Sequence, residues 1–287
     1  MDKQPLVAII VLNYNGSDCL SGALQSLQKI DYEEKRLIVV DNNSQDGSFE
    51  MAKKGFPACI FIKNTTNIGF AGGMNVGIRE ALRLGADYVW LFNNDAEAEP
   101  TSLRKLVDFL ESHTEAAAAS PIITDFSGKE WFVSGKISYA RMRAVHGEMT
   151  SEDDPYQSEY LSGCALLLRS SLLESIGLLD ERYFLYYEDV DLSIRMCQTG
   201  KRLFVVPTAR VRHGERSEGE NREKIYHLVY SGLIFFHEHT PIFFQPWMWC
   251  YEFLRRMKNR TDLLLCRKNA TMVRRAYDDY DRNYTNR

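Results

Sequence analysis

Three polar clusters each follow an apolar run: Asn13-Tyr14-Asn15 after residues 6–12, Asp41-Asn42-Asn43-Ser44 after 36–40, and Asn93-Asn94-Asp95 after 88–92. A carboxylate at position 41 can accept the imide N–H of uracil or thymine, or the N1–H and amino group of guanine, and suits cytosine and adenine poorly. The same residue could instead cap a turn over 42–44. Asp95, with Glu97 two residues on, offers oxygen ligands to a hard divalent cation shared with a diphosphate, or an N-cap for the helix near Pro100. A second group, Glu188-Asp189-Val190-Asp191, sets three acids at a helix start behind the aromatic run 183–187. The helix dipole favours acids there, and an acid beside an aromatic wall also suits a general base, its pKa raised by burial and like charge. His213 is read as a metal ligand, a phosphate contact or a structural histidine.

The elements that position these groups alternate. Apolar runs at 6–12, 36–40, 59–62 and 88–92 read as strands, and the helical spacing of Leu20, Ala23, Leu24, Leu27 and Ile30, capped by Ser17 or Asp18, reads as a helix. Further helices are expected over 70–84 and after Pro100, over 170–176 and over 188–199, with strands over 160–168 and 202–206. Residues 124–160 read as a loop-rich insertion. Strands apolar on both faces, alternating with helices, predict an α/β fold with a mainly parallel central sheet. The polar clusters then line one crevice at the carboxyl ends of the strands. Residues 67–75 form a glycine-rich helix opening whose N–H groups could meet phosphate, or whose glycines could serve close packing. It is not G-x-G-x-x-G, so a dinucleotide-binding dehydrogenase is not indicated.

The 287 residues carry 35 Lys plus Arg against 39 Asp plus Glu, a formal charge of −4, which disfavours nucleic-acid binding by bulk charge. No stretch is long and apolar enough to span a membrane, and the N-terminus does not read as a signal peptide. The six cysteines show no C-x-x-C spacing, so neither a zinc site nor a disulfide framework is expected, and a cytoplasmic location follows. Composition changes near residue 216, dividing the chain into 1–216 and a helical extension, 217–287. Within the extension, the aromatics at 242–254 precede a basic segment, with eight basic and two acidic residues over 252–275. That pattern suits peripheral contact with an anionic membrane through 242–275, or a helix packed on the first domain or in a homodimer interface.

Taken in order, the segments 11–16, 40–44, 67–73, 91–95, 161–165, 184–192 and 211–213 resemble the family 2 glycosyltransferases, whose nucleotide-sugar domain is the GT-A fold. The pattern covers roughly residues 5–216 and is most similar to bacterial rhamnosyltransferase-type members that build surface polysaccharides. The resemblance implies an inverting transfer of a hexosyl group, such as rhamnosyl, from a dTDP- or UDP-linked sugar to a saccharide or lipid-linked acceptor. It gives Asp41 the nucleobase, Asn13, Tyr14 and Asn15 the nucleoside, and Asn43, Gly69, Asn93 and Asn94 places on the same nucleotide-sugar side. Asn93 stands where many relatives carry the first aspartate of the acidic motif. Asp95 and His213 are implied as ligands of Mg²⁺ or Mn²⁺, and Asp189 as the catalytic base. Ser162, Gly163, Glu188 and Asp191 fall on the acceptor and sugar side. Two rivals stand beside this reading. A nucleotidyltransferase would want a glycine-rich loop with a basic residue after the first strand, and here no Lys or Arg occurs between Asn13 and Lys29. An inactive binding protein on the same fold would be expected to have lost Asp41, Asp95 or Asp189, all of which are present.

Overall fold

The computed structural model describes residues 4–214 and 222–284. In chain order its elements are β1 (Val7–Asn13), α1 (Leu20–Gln28), β2 (Lys35–Asp41), α2 (Ser48–Gly55), β3 (Ile60–Lys63), α3 (Gly69–Arg83), β4 (Tyr88–Asn93) and β5 (Ala96–Ala98). Then come α4 (Ser102–Ser112), β6 (Ala116–Thr124), β7 (Glu130–Phe132), β8 (Gly135–Ser138), β9 (Arg143–His146), β10 (Tyr156–Ser158), β11 (Ala165–Arg169), α5 (Ser170–Ile176), α6 (Glu188–Gln198) and β12 (Arg202–His213). A helical region follows: α7 (Arg222–His239), a 3₁₀ turn (Ile242–Phe244), α8 (Gln245–Leu264) and α9 (Ala270–Tyr284).

The sheet order is β10-β12-β6-β11-β4-β1-β2-β3. Strands β3, β2, β1 and β4 run parallel, as the apolar runs predict, because the chain returns through a helix between them; β1 and β4 are buried on both faces and β3 is the half-buried edge. Beyond β4 the sheet is mixed: β11 lies antiparallel to both β4 and β6, while β12 runs parallel to β6. Reversing β11 lets the chain re-enter the sheet at the carboxyl end of β4. The segment 161–163 therefore arrives beside Asn93, whose amide donates to the Cys164 carbonyl at 2.9 Å.

Several elements depart from expectation. The residue before α1 is Cys19, with no side-chain cap; the Ser17 amide donates to Asp46 instead. The expected strand over 160–168 begins only at Ala165, and the insertion over 124–160 holds four short strands, including the β8–β9 hairpin. The strand expected to stop at Val206 passes through an irregularity between Val206 and Arg210 and runs on to His213. The helix after Pro100 begins at Ser102, and β5 intervenes after Asp95, so Asp95 is not its cap.

The boundary expected near 216 lies outside the described residues. The helices beyond it share the core of the first domain, since Ile234, Phe235, Phe236 and Met248 are buried in the same cluster as the sheet. Polar bonds reinforce the contact: Ser231 Oγ donates to the Leu185 carbonyl at 2.8 Å, and Trp247 Nε1 to that of Ala140 at 2.9 Å.

The glycines at the α3 opening serve packing. Gly69 has φ +81°, and a Cβ there would lie 2.5 Å from the Phe184 carbonyl oxygen; a Cβ on Gly77 would lie 2.3 Å from an Ile10 methyl. The N–H groups expected to await phosphate are occupied, Gly69 by Asn67 Oδ1 and Phe70 by the Phe184 carbonyl at 2.7 Å. The outcome is close approach of helix, sheet and the 183–187 segment. Gly69→Ala, which meets both the left-handed backbone and the Phe184 carbonyl, is expected to cost about 1–3 kcal/mol. Thermal melting against the wild type checks it.

Candidate active site

The carboxyl ends of β1, β2 and β4 are joined by one side chain. Asn13 is fully buried at the end of β1; its Nδ2 donates to Asp41 Oδ1 at 2.8 Å and lies within hydrogen-bond distance of Ser44 and Ser48, while its Oδ1 accepts from Asn94 Nδ2 at 3.0 Å. Gly16 is required here, since a Cβ would sit 2.4 Å from both Asn13 Oδ1 and Asn94 Nδ2. Asp41 also accepts from the Ser44 amide at 2.9 Å and the Ser44 hydroxyl at 2.6 Å. The carboxylate expected to protrude at the sheet edge is thus enclosed: Asp41 has no exposed surface, because the 42–48 segment folds over it and supplies its donors. Asn42 is closed in too, bonding the Gly69 carbonyl at 2.8 Å. What faces outward is Tyr14, 51% exposed, together with Asn15 and half-buried Asn43, both at positive φ. Asn15 is held by its own amide on Ser44 and by Gln45 N–H on its Oδ1.

A second convergence comes from β5 pairing with β12. The antiparallel register sets His213 opposite Ala96, and the Gly214 amide donates to the Asp95 carbonyl at 2.7 Å. His213 Nε2 therefore lies 3.1 Å from Asp95 Oδ1, and 3.3 Å from Asn93 Nδ2. Asp95 Oδ1 and His213 Nδ1 are buried without a hydrogen-bond partner among the described residues. Burial tends to raise the Asp95 pKa, but contact with His213 outweighs it and holds the carboxyl below its ordinary value. An anionic oxygen and an imidazole nitrogen aimed at one point, with the oxygen otherwise unpaired, fit a divalent cation. Trp131 packs on this pair, its ring centroid 4.3 Å from that of His213 and 5.3 Å from that of His146. No local sequence signal marks Trp131; β7 brings it in by pairing with β6.

The acids of α6 separate by face. Asp189, half-buried, accepts from the Gly163 amide at 2.9 Å and from the Val190 amide at 2.8 Å. Gly163 in turn lies against the Phe70 ring. Asp189 thereby meets the 161–163 segment, and through Cys164 and Asn93 the strand end that carries Asp95. Ser162 is buried, its Oγ accepting from the Cys164 amide at 3.3 Å.

Of Glu188 and Asp191, both expected toward acceptor and sugar, Asp191 is engaged by side chains of α6 and α7. Glu188 is buried and its Oε2 has no partner among the described residues. Asp191 binds Arg195 at 2.8 Å and His239 of α7 at 2.7 Å. Asp191, Glu238 and His239 do bring possible ligand atoms within 4.8 Å of one another. Arg195 and His239 already engage both Asp191 oxygens and Arg182 engages Glu238, so the trio reads as a clasp between α6 and α7.

Burial raises the pKa of both Glu188 and Asp189; Glu188 is pushed further by the Asp189 charge, whereas the Gly163 and Val190 amides and His146 favour ionised Asp189. Both acids therefore hold their protons more firmly than ordinary carboxyls, Glu188 the more strongly of the two.

Comparison with known proteins bears on this geometry. Residues 8–177 match the family model described as "Glycosyl transferase family 2". The chain belongs to that family. It is 28% identical, over 253 residues covering 79% of this chain and 81% of the relative, to an N-acetylglucosaminyl-diphospho-decaprenol L-rhamnosyltransferase of Mycobacterium tuberculosis. It is 25% identical to the galactofuranosyltransferase GlfT1 of Mycolicibacterium smegmatis over 206 residues, 70% of this chain and 68% of that one. Among solved structures, a mannosyltransferase from Pyrobaculum calidifontis in complex with GDP-Man and Mn²⁺ aligns with TM-score 0.61 and 18% identity, covering 81% of this chain and 65% of that chain. GalNAc-T7 with UDP, GalNAc and Mn²⁺ aligns with TM-score 0.64 and 17% identity, covering 75% of this chain and 44% of that chain. These likenesses establish the GT-A fold, and with the family they establish a glycosyltransferase.

The raised Asp189 pKa can be measured. Were Asp189 the base, the acid limb of turnover against pH would lie above the ordinary Asp value of 3.8. Glu188→Gln, which mimics the protonated side chain, is expected to keep turnover within a few-fold and to leave that limb in place, because burial and not Glu188 raises the Asp189 pKa. A pH–rate profile of both proteins checks this.

Proposed function

We propose that the chain transfers a hexosyl group, rhamnosyl being the first candidate, from a dTDP- or UDP-linked donor to a lipid-linked saccharide acceptor in surface polysaccharide synthesis, with inversion at the anomeric carbon. The observation that carries the proposal is the pairing of Asp95 with His213 on one side and of Asp189 with Gly163 on the other, linked through Asn93 and Cys164. The rhamnosyl group and lipid-diphosphate acceptor are those in the name of the mycobacterial relative.

In this reading Asp189 takes the proton from the acceptor hydroxyl as its oxygen attacks the anomeric carbon opposite the leaving nucleoside diphosphate. General-base assistance of this kind is worth about 10²–10⁴-fold. Asp95 and His213 would hold Mg²⁺ or Mn²⁺, which when bound supplies Lewis-acid stabilisation to the diphosphate. Tyr14, Asn15 and Asn43 face the nucleoside, and Asp41 and Asn13 set the 42–45 loop from behind. Asp41 then governs base recognition by fixing that loop, and its own carboxylate meets the base only if the loop opens. Asp189→Asn is expected to keep nucleoside diphosphate affinity and lose about 10²-fold or more in turnover. Asp95→Ala should weaken cation-dependent donor binding. Calorimetric titration with Mn²⁺ and nucleotide, beside release of free nucleoside diphosphate, tests both; an unchanged Mn²⁺ dependence in Asp95→Ala removes that residue from the site.

No helix among the described residues is long and apolar enough to cross a membrane. Peripheral contact is favoured by the outer face of α8 and the 3₁₀ turn, where Phe243 is 93% and Leu264 85% exposed, with Trp247, Phe253, Leu254 and Met257 between them. At about 100° per residue these side chains form one stripe, with Lys258, which pairs with Asp262, and Arg260 at roughly 80° on its two flanks. Aromatic and aliphatic side chains edged by cations suit the headgroup region of an anionic leaflet. Full-length protein should float with anionic liposomes, and Phe243→Ser with Leu264→Ser should reduce flotation. Equal flotation ends the membrane reading and leaves the stripe as an interface between copies.

A further inference from the structure

A cavity of about 500 Å³ lies between the β8–β9 hairpin and the C-terminal helices. Its walls are mixed, with an apolar side made by Leu228, Leu233 and Phe236 from α7 and Met248 from α8. Its lining also includes three exposed arginines from opposite sides: Arg141 and Arg143 of the hairpin and Arg255 of α8. None of the three is in an ion pair among the described residues. Glu252, the carboxylate in the lining, is already bound by His237 at 2.7 Å and by Arg256. Arg255 bonds the Tyr277 hydroxyl in the same lining, and the cavity presents guanidinium groups without a carboxylate partner beside an apolar wall.

That combination selects an amphipathic anion. Guanidinium groups from two sides suit phosphate oxygens, which accept their N–H bonds in pairs, and the wall suits a hydrocarbon chain. A volume of this order is typical of ligand pockets. Position says which substrate it serves. Tyr187, in the lining, stands two residues before Asp189; His146, also in the lining, acts on the Asp189 charge and touches the Trp131 that covers His213. A ligand here would lie on the base side of the transfer and not on the nucleotide side. On α8 the cavity takes Met248, Tyr251, Glu252 and Arg255, the side of the helix opposite the exposed apolar stripe.

We propose that this cavity holds the lipid diphosphate of the acceptor, with Arg141, Arg143 and Arg255 on the diphosphate, the first isoprenoid-like units along the α7–α8 wall, and the sugar directed toward Asp189. The proposal rests on the reading of the acceptor as lipid-linked and adds where it is recognised. These arginines touch the substrate without touching reacting atoms, so they determine acceptor affinity and selectivity.

The test uses the full chain and three probes in metal-free buffer: farnesyl diphosphate, inorganic diphosphate and farnesol. Binding is followed by calorimetry with and without saturating nucleoside diphosphate. Farnesyl diphosphate should bind at least tenfold more tightly than either half-ligand and should not be displaced by the nucleotide. Arg143→Ala with Arg255→Ala should weaken it on the order of tenfold or more, and Arg143→Glu further, with melting temperature and Mn²⁺-nucleotide affinity as controls for folding. Unchanged affinity in these variants, equal binding of inorganic diphosphate, or displacement by the nucleotide overturns the proposal. Failure of the wild type to bind Mn²⁺ and nucleotide at all would instead count against the transferase reading, so the two failures are separately visible.

Discussion

The turn at Tyr186 and Tyr187 is the constraint on which the site depends. Both residues have positive φ, 68° and 69°, a backbone region that bulky side chains avoid at a cost on the order of 1–3 kcal/mol each. Only a change of direction this sharp sets Glu188 and Asp189 at the start of α6 with Asp189 facing Gly163. The surroundings hold it in place. Tyr187 is buried against Phe235 and Phe236, and its hydroxyl meets the Ala144 amide. The Leu185 carbonyl accepts from Ser231, and the Phe184 carbonyl from Phe70. Gly232 allows α7 this close, since a Cβ there would be 3.3 Å from the Tyr187 ring. The helices after residue 221 therefore do more than extend the chain. They maintain the backbone conformation that aims Asp189.

Polar burial at the other end of the site follows the same logic. A fully buried Asp41 carboxylate is tolerable only because Asn13 and Ser44 supply three donors, which tie it to the end of β1 and to the loop after β2. Asn13 is thereby committed to structure on every atom of its amide. The loops carrying Tyr14, Asn15 and Asn43 are positioned by a network with no free partner to rearrange, which lets exposed side chains hold a defined geometry.

The alternating first half of the fold was legible because β1, β2 and β4 are continuous apolar runs that end in polar clusters, and the glycines at 69–77 announced a close approach. Strand β6 was not, because Ala116, Ala117, Ala118 and Ala119 have little β preference and Pro121 follows. Its place is set by neighbours on both sides, not by its own residues. The same holds within the site. Asp95 and Asp189 could be singled out locally, one behind a strand and one at a helix start. The partnership of Asp95 with His213 depends on a three-residue strand pairing with the far end of β12, more than a hundred residues away, and no local pattern carries that. Asp191 misled for a geometrical reason: two residues along a helix is about 200° of rotation, so Asp189 and Asp191 must face opposite ways. Their spacing in sequence suggested one acidic site, and the helix made one catalytic candidate and one clasp.

That division also explains how three acids coexist at one helix start. Asp191 is bonded by Arg195 and His239, and burial beside the Asp189 charge makes Glu188 hold its proton more firmly than an ordinary carboxyl. The Asp189 carboxylate is stabilised by two backbone amides and the helix N-terminus. Stronger stabilisation would make it a poorer base, since every donor that favours the carboxylate lowers its affinity for a proton. Burial works against the donors and keeps the pKa raised. The aromatic run serves both ends of this balance: it excludes water from the acids, and through Tyr187 it joins them to the cavity from which an acceptor would present its hydroxyl.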